Sequence, residues 1–67
     1  MKKNYHTRIR ELREDHDLTQ SQVAEILGIK RQQYARYEAE TRMPIEYLIP
    51  LCKYYKVSAD YILGIRF

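Results

Sequence analysis

The sequence predicts an all-α fold, a compact bundle of five short helices, and two observations support this prediction. Only two glycines and two prolines occur among the 67 residues, so the chain has few helix breakers. Apolar residues recur at helical spacing, and no stretch of strand length alternates between apolar and polar residues. The length fits one small domain, residues 1–67, with a core of modest size.

The first helix is predicted over about residues 5–16. Ile9 and Leu12 fall on one face of this segment, and charged side chains cover the rest. Asp17 and Leu18 follow as its end. The single apolar stripe indicates that this helix packs against the bundle along one side.

The second helix, about residues 20–27, has clear signals at both ends. Thr19 and Gln22 form a capping-box pattern, in which the threonine hydroxyl accepts the Gln22 N–H and the glutamine side chain reaches back. Gly28 stands where a left-handed residue would end the helix. Ala24 is small, as the close approach of a following helix requires.

The third helix begins two or three residues after Gly28 and ends near Ala39. Tyr34 and Tyr37 are three residues apart, so they share the face that packs inward. Two short helices joined by a short turn that contains glycine are typical of a helix-turn-helix unit. We place this unit at about residues 20–39.

The fourth helix, about residues 45–55, contains Pro50, which removes one backbone hydrogen bond and clashes with the preceding turn. Two starts are open: regular helix from near Leu48, or a tighter turn with a bend over residues 45–48. The fifth helix is short, with Ser58 as its N-cap and Gly64 at its end.

Composition and cysteine usage argue against several classes of function. The formal net charge of +3 permits a polyanionic partner without requiring one. A single cysteine forms no internal disulfide, and no signal peptide or membrane-spanning run is visible, so we expect a cytoplasmic protein. His6 and His16 lack partners at ligand spacing and no catalytic cluster is visible, so we expect no enzyme, no metal or other cofactor and no small-molecule ligand.

The candidate binding surface is the segment 30–37, which holds the positive charges of Lys30, Arg31 and Arg36 and no acid. Arginine can pair with guanine O6 and N7, and glutamine with adenine N6 and N7. Taken alone, such a segment is more often a solvated helix face. Its place in the second helix of a helix-turn-helix unit favours the reading of DNA.

The stretch LTQSQVAEILGIKRQQYARYE, residues 18–38, resembles the helix-turn-helix of the lambda-repressor-like family, also called the Cro or xenobiotic-response-element family. The likeness extends to IRELRED at residues 9–15 and to RMPIEYLIPLCKYYKVSADYILG at residues 42–64. It therefore covers nearly the whole chain. The resemblance implies a five-helix bundle whose third helix enters the major groove of double-stranded DNA.

The resemblance also implies roles for individual residues. The side chains expected to read bases are Arg31, Gln32, Gln33 and Arg36. The side chains expected to contact phosphates are Thr19, Gln20, Lys30 and Arg42. A largely buried, bidentate ion pair is expected between Arg13 and Glu38, where it would fix the first helix to the third rather than add much stability.

Three positions depart from the family pattern. Lys30 stands where serine or threonine commonly caps the third helix, so this cap is missing or supplied otherwise. Glu40 replaces a loop glycine, which leaves the conformation of that loop open. Tyr34 replaces an aliphatic residue and needs a hydroxyl partner or an exposed edge.

We expect a sequence-specific transcriptional regulator that represses by occupying a palindromic operator as a homodimer, joined through its C-terminal helices. So small a core cannot bury all of the aromatic residues in those helices, which favours a contact surface there. They are Tyr47, Tyr54, Tyr55, Tyr61 and Phe67. The alternative is a protein-interaction module, such as the antitoxin partner of a toxin, that uses the same aromatic face.

Overall fold

A computed structural model of the chain describes residues 4–65. Five α-helices occur in these residues: α1 (Tyr5–Asp15), α2 (Gln20–Leu27), α3 (Arg31–Ala39), α4 (Ile45–Tyr55) and α5 (Ala59–Leu63). The predicted all-α bundle is therefore confirmed, with overall dimensions of 30 × 23 × 23 Å. No described helix is both long enough and apolar enough to cross a membrane.

Local capping signals set the ends of the first two helices. At the start of α2 the Thr19 hydroxyl accepts the Gln22 N–H at 3.1 Å, and the Thr19 N–H donates to Gln22 Oε1 at 2.8 Å. Gly28 ends α2 with φ at 73°, a left-handed conformation that glycine adopts without steric cost. α1 ends one residue earlier than predicted, because His16 leaves helical geometry and its N–H closes the last turn.

α4 is one continuous helix through Pro50, and it begins at Ile45, the earlier of the two predicted starts. The Tyr47 N–H donates to the Pro44 carbonyl at 3.0 Å, so the first turn has the tighter spacing of a 3₁₀ turn. Pro50 leaves the Glu46 carbonyl without its helical donor. Because Glu46 is exposed, water can replace that hydrogen bond.

One hydrophobic core joins all five helices. Its fully buried members come one from each helix: Ile9, Val23, Tyr34, Leu51 and Ile62. α3 packs against α1 and α2, and α5 packs against α1 and α4. Since the inward face of α3 is held by two neighbouring helices, its opposite face points to solvent in a fixed direction.

Tyr34 and Tyr37 pack inward as predicted, and the Tyr34 ring has no exposed edge. The Tyr34 side chain is fully buried, and its hydroxyl lies beside the Glu38 carboxylate without the geometry of a regular hydrogen bond. Burial and the neighbouring Glu38 carboxylate raise the pKa of this hydroxyl well above its usual range. The Tyr55 hydroxyl is likewise buried and unpaired, and burial raises its pKa to about 12.

The balance of energies explains why Tyr34 is tolerated in the core. Burial of a tyrosine ring removes about 150–250 Å² from water, which stabilises the fold by roughly 4–6 kcal/mol. An unpaired buried hydroxyl costs about 1–3 kcal/mol. The ring therefore contributes more than its hydroxyl costs.

Candidate nucleic-acid interface

The outward face of α3 carries most of the side chains predicted to read DNA. Arg31, Gln32 and Arg36 are exposed, and Gln33 is half-buried. Gln32, Gln33 and Arg36, together with Lys30, line a concave surface, and the hollow that it forms has a volume of about 420 Å³. The cations of this surface donate hydrogen bonds, and its amides both donate and accept, so it can contact base edges as well as phosphates.

Lys30 is the N-cap of α3, and its side chain makes no capping hydrogen bond. The first helical hydrogen bond runs from the Tyr34 N–H to the Lys30 carbonyl at 3.1 Å. The N–H groups of residues 31–33 therefore have no hydrogen-bond acceptor within the helix. These groups, with the positive end of the helix dipole, suit an anion such as a DNA phosphate.

Arg31 turns toward α2 and does not line the concave surface. Its Nη1 donates to Gln20 Oε1 at 3.4 Å, and Gln20 Nε2 donates to Glu38 Oε1 at 3.1 Å. Gln20, predicted to contact phosphate, is thus held between two residues of α3. Each end of its amide retains one further hydrogen-bonding position.

Gln33, predicted to read bases, is engaged within its own helix. Its Nε2 donates to the Tyr37 hydroxyl at 2.9 Å, one turn later. The i, i+4 spacing of the two residues is the sequence signal that indicates this contact. Gln32 is exposed, so it is the more accessible of the two glutamines.

The residues predicted to contact phosphates lie at three places. Lys30 borders the concave surface of α3. Thr19 and Gln20 lie at the N-terminus of α2, where the Thr19 hydroxyl accepts the cap bond and keeps its own proton to donate. Arg42 lines a second groove, of about 240 Å³, between the start of α1 and the last two helices.

Arg13 of α1 and Glu38 of α3 form a bidentate ion pair. Arg13 Nε donates to Glu38 Oε2 at 2.7 Å, and Nη2 donates to Oε1 at 3.2 Å. The two side chains are 14% and 4% exposed. Arg13 Nη1 also donates to the Leu18 carbonyl at 2.9 Å, so this guanidinium joins α1, the turn before α2, and α3.

The ion pair stays charged at neutral pH. Burial by itself would raise the pKa of Glu38, but the hydrogen bond from Arg13, the neighbouring Tyr34 hydroxyl, the hydrogen bond from Gln20 and the charge of Arg13 together hold that pKa below its usual range. The Glu38 carboxylate in turn raises the pKa of Arg13. The only acid buried among the described residues is therefore neutralised by a partner and does not repel DNA.

The C-terminal end of α3 needs no glycine. Glu40 is the C-cap, and its φ of −155° is negative, so this position does not require the left-handed conformation that favours glycine. The N–H groups of Glu40 and Thr41 both donate to the Arg36 carbonyl, at 3.0 and 2.9 Å. His6 Nδ1 donates to the Tyr37 carbonyl at 2.6 Å, which ties this end of the helix to α1.

Metal-ligating side chains are not grouped anywhere in residues 4–65. The His16 ring bonds to the Leu12 carbonyl, with Nδ1 2.8 Å from the oxygen. Cys52 is half-buried, and burial raises the pKa of its thiol, which favours the protonated form over a reactive thiolate. The outward face of α3 is therefore the feature of the described chain that is best equipped for binding.

A family model described as helix-turn-helix matches residues 9–62. An uncharacterised HTH-type transcriptional regulator of Bacillus subtilis (strain 168), YobD, is 47% identical over 62 residues. The match covers 91% of this chain and 55% of YobD, so the chain spans about half the length of that relative. No solved structure gives a significant match.

The region matched by the family model contains both helices of the helix-turn-helix and the Arg13–Glu38 pair that joins α1 to α3. It also contains every side chain that was predicted to contact DNA. The chain therefore belongs to the lambda-repressor-like helix-turn-helix family, a family of DNA-binding transcriptional regulators.

Proposed function

We propose that the chain binds double-stranded DNA in a sequence-specific manner, with α3 in the major groove. The observation that carries this proposal is the outward face of α3, where two guanidinium groups, one ammonium group and two amides occur within residues 30–37 and no acid does. Arginine and glutamine make the bidentate contacts that distinguish guanine and adenine. The core holds this helix in one orientation, so the contacts have a defined register.

The proposed contacts are of two kinds: contacts to bases, which read the sequence, and contacts to phosphates. The base readers are Arg31, Gln32, Gln33 and Arg36, and Gln33 has its Oε1 free while its Nε2 bonds to Tyr37. The phosphate contacts are Thr19, Gln20, Lys30 and Arg42. Contacts of the second kind position the helix on the duplex and carry no sequence information directly.

We further propose that the chain represses transcription by occupying its operator as a homodimer. Large apolar side chains exposed on α4, on α5 and directly after α5 support a self-contact there: Ile49, Tyr54, Tyr61, Leu63 and Ile65. Phe67, predicted to join this surface, lies outside the described residues. A two-fold dimer places two reading helices about 34 Å apart, which matches a palindromic site.

The exposed apolar side chains of α4 and α5 also support a second candidate, a protein-interaction module such as the antitoxin partner of a toxin. The two functions differ in their response to salt. DNA binding through about six phosphate contacts weakens about a thousandfold or more between 50 and 200 mM salt. A tyrosine-rich protein interface carries little charge, so its affinity should hardly change.

Selection of bound sequences from random double-stranded DNA tests the proposal. We expect a palindrome whose half-sites lie about one helical turn apart, with the steep salt dependence given above. Lys53→Ala, which removes an exposed cation of α4, is the matched control and should leave the selected sequence unchanged. Recovery of no common sequence would contradict specific binding, and salt-insensitive capture of a protein would favour the interaction module.

A further inference from the structure

The second groove combines apolar side chains with two polar ones. Its lining residues are Tyr5, Arg42, Met43, Leu48 and Leu63. They come from the start of α1, from the loop before α4, from α4 itself and from the end of α5. None of these described residues is acidic. The groove therefore offers apolar surface and hydrogen-bond donors, without a negative charge of its own.

The Tyr5 hydroxyl is fixed in position and can still donate a hydrogen bond. It accepts the Met43 N–H at 3.2 Å, which ties the start of α1 to the loop before α4. This bond uses a lone pair of the phenol oxygen and leaves the phenol proton for another acceptor. The donor is therefore in place before any ligand arrives.

Arg42 adds a positive charge to the same groove. Its side chain is exposed, and it makes no ion pair or hydrogen bond with another described residue. A guanidinium only donates hydrogen bonds, and its planar fork matches the two oxygens of a carboxylate. Arg42 directly precedes Met43, the residue bonded to Tyr5. One carboxylate can thus meet both the guanidinium and the phenol proton.

The apolar lining and the volume limit the size of the occupant. Leu48 is buried, whereas Leu63 is 41% exposed, so the groove is open to solvent on one side. Its volume of about 240 Å³ lies a little below the range of about 300–1,000 Å³ that is common for small-molecule sites. One aromatic ring or one short branched chain therefore fits beside a carboxylate.

We propose that the second groove binds a small hydrophobic carboxylic acid. The apolar part of the acid packs against Met43, Leu48 and Leu63. Its carboxylate pairs with Arg42 and accepts the phenol proton of Tyr5. No local sequence pattern indicates this site, because Tyr5 and Met43 lie 38 positions apart, and the sequence alone therefore predicted no small-molecule ligand.

Other occupants match only part of the groove. An apolar side chain of a second copy would fill the lining but would leave both polar groups without a partner. An inorganic anion would pair with Arg42 but would leave the apolar lining in water. A carboxylate joined to an apolar body satisfies both parts, which is the usual composition of a small-molecule site.

The first test uses hydrocinnamate, in which two methylene groups join a phenyl ring to a carboxylate. NMR follows the methyl signals of Met43, Leu48 and Leu63 while the acid is added to the protein. We expect saturable shifts, with half-saturation on the order of millimolar concentration for so few atoms. Hydrocinnamyl alcohol, which lacks the charge, and acetate, which lacks the ring, should each bind at least roughly fivefold more weakly. Equal binding of either control would overturn the inference.

Variants check which side chains hold the carboxylate. Arg42→Gln should lower the affinity for hydrocinnamate by roughly fivefold and leave that for the alcohol unchanged. Tyr5→Phe should also weaken binding of the acid, because the phenol proton is lost. Arg10→Gln is the matched control, since Arg10 is an exposed arginine of α1 that does not line the groove. Undiminished affinity for the acid in Arg42→Gln would contradict the proposed site.

Protein concentration separates the acid from a second copy as the occupant. The titration is run at low protein concentration, where copies of the chain are apart. We expect the methyl shifts with hydrocinnamate under this condition. Groove signals that respond to rising protein concentration, and never to the acid, would assign the groove to a second copy and overturn the inference.

The acid should also compete with DNA, because Arg42 is proposed to contact a phosphate. This consequence rests on the proposed function, whereas the site itself does not. At constant ionic strength, saturating hydrocinnamate should weaken DNA binding several-fold in the parent and have no effect in Arg42→Gln. DNA binding without any binding of the acid would overturn the inference alone. Binding of the acid by a parent that binds no DNA would overturn the proposed function and leave the site standing.

Discussion

At the scale of single residues, Glu38 stands out because it is the one charged residue that is buried in the described part of the chain. It is a charged side chain that is 4% exposed, and it accepts hydrogen bonds from Arg13 and Gln20. A buried ion pair often contributes little net stability, because the loss of hydration offsets the attraction. Removing one partner is costly, however, since the other charge stays buried alone. The pair therefore fixes the position of α3 more than it stabilises the fold.

Acid should destabilise the domain through Glu38. Its pKa is lowered in the folded state, so its contribution to stability is complete above the ordinary glutamate pKa of about 4.3 and is lost as the pH falls through the folded value. Urea denaturation at a series of pH values should show the free energy of unfolding falling below about pH 4. Glu38→Gln should cost about 3–5 kcal/mol at neutral pH.

The control for this prediction is Arg13→Met with Glu38→Leu. Apolar replacement of both partners should restore much of the stability that Glu38→Gln loses. It should also reduce the dependence on pH, because the titrating carboxylate is gone. The same acid-induced loss in parent and double variant would show that other carboxylates dominate.

At the scale of elements, the two helices of the helix-turn-helix begin in opposite ways. α2 starts with a complete capping box at Thr19, whereas α3 starts at Lys30 without a side-chain cap. A missing cap costs about 1 kcal/mol. A lysine at this position instead offers a cation at the edge of the reading surface, which we propose contacts a phosphate.

Lys30→Ser should therefore stabilise the domain and weaken its binding. The serine hydroxyl can accept an N–H of the first turn of α3, so we expect a gain of about 1 kcal/mol in urea denaturation. Loss of the cation should lower the affinity for all DNA sequences alike and reduce the salt dependence. Thr19→Ala is the matched comparison: it removes the side-chain cap of α2, so the free energy of unfolding should fall by about 1 kcal/mol. A serine variant no more stable than the parent would mean that α3 is already capped by another group.

Helix ends determined by neighbouring residues were predictable from the sequence. Thr19, Gln22 and Gly28 mark both ends of α2 within a few positions of the helix itself. The path of α4 through Pro50 was left open, because its cost depends on whether the Glu46 carbonyl reaches water, which is a property of the folded chain.

Contacts over long sequence separations were less predictable. Gln20 and Glu38 lie 18 positions apart, and no local pattern marks the hydrogen bond between them. The resemblance to the lambda-repressor-like family supplied Arg13 and Glu38 as a pair but gave no link to Arg31. The surroundings of the Tyr34 hydroxyl were also left open, because they depend on how the neighbouring helices close around the ring.

At the scale of the whole molecule, size supports the proposed homodimer. The longest dimension is 30 Å, whereas successive major grooves on one face of DNA lie about 34 Å apart. One copy is therefore too short to reach two successive major grooves, which fits the proposal that each copy reads one half-site. The exposed apolar side chains of α4 and α5 lie on the surface that we propose joins two copies.

Leu63→Lys should weaken the dimer and, with it, binding to a palindromic site. Leu63 is 41% exposed and borders the groove that contains Tyr5, Met43 and Leu48. Burial of a leucine at an interface contributes about 1.5–3 kcal/mol, so sedimentation equilibrium should show self-association weakened about tenfold or more. Ile26→Lys is the control, since Ile26 is 39% exposed on α2 and should not affect the dimer. Equal self-association in parent and Leu63→Lys would place the interface elsewhere.

The two ends of α3 are secured unequally. Its C-terminal end is bonded to α1 through Glu38 and through the Tyr37 carbonyl, while its first turn at Lys30 has no side-chain cap. The first turn therefore lacks a stabilising side-chain cap, and it is also the part that we propose meets the bases. A DNA phosphate at that end would complete the helix, so on this proposal the free energy of recognition would include the final ordering of the reading helix itself. A DNA site that failed to order this turn would then be rejected by more than the hydrogen bonds it lacks.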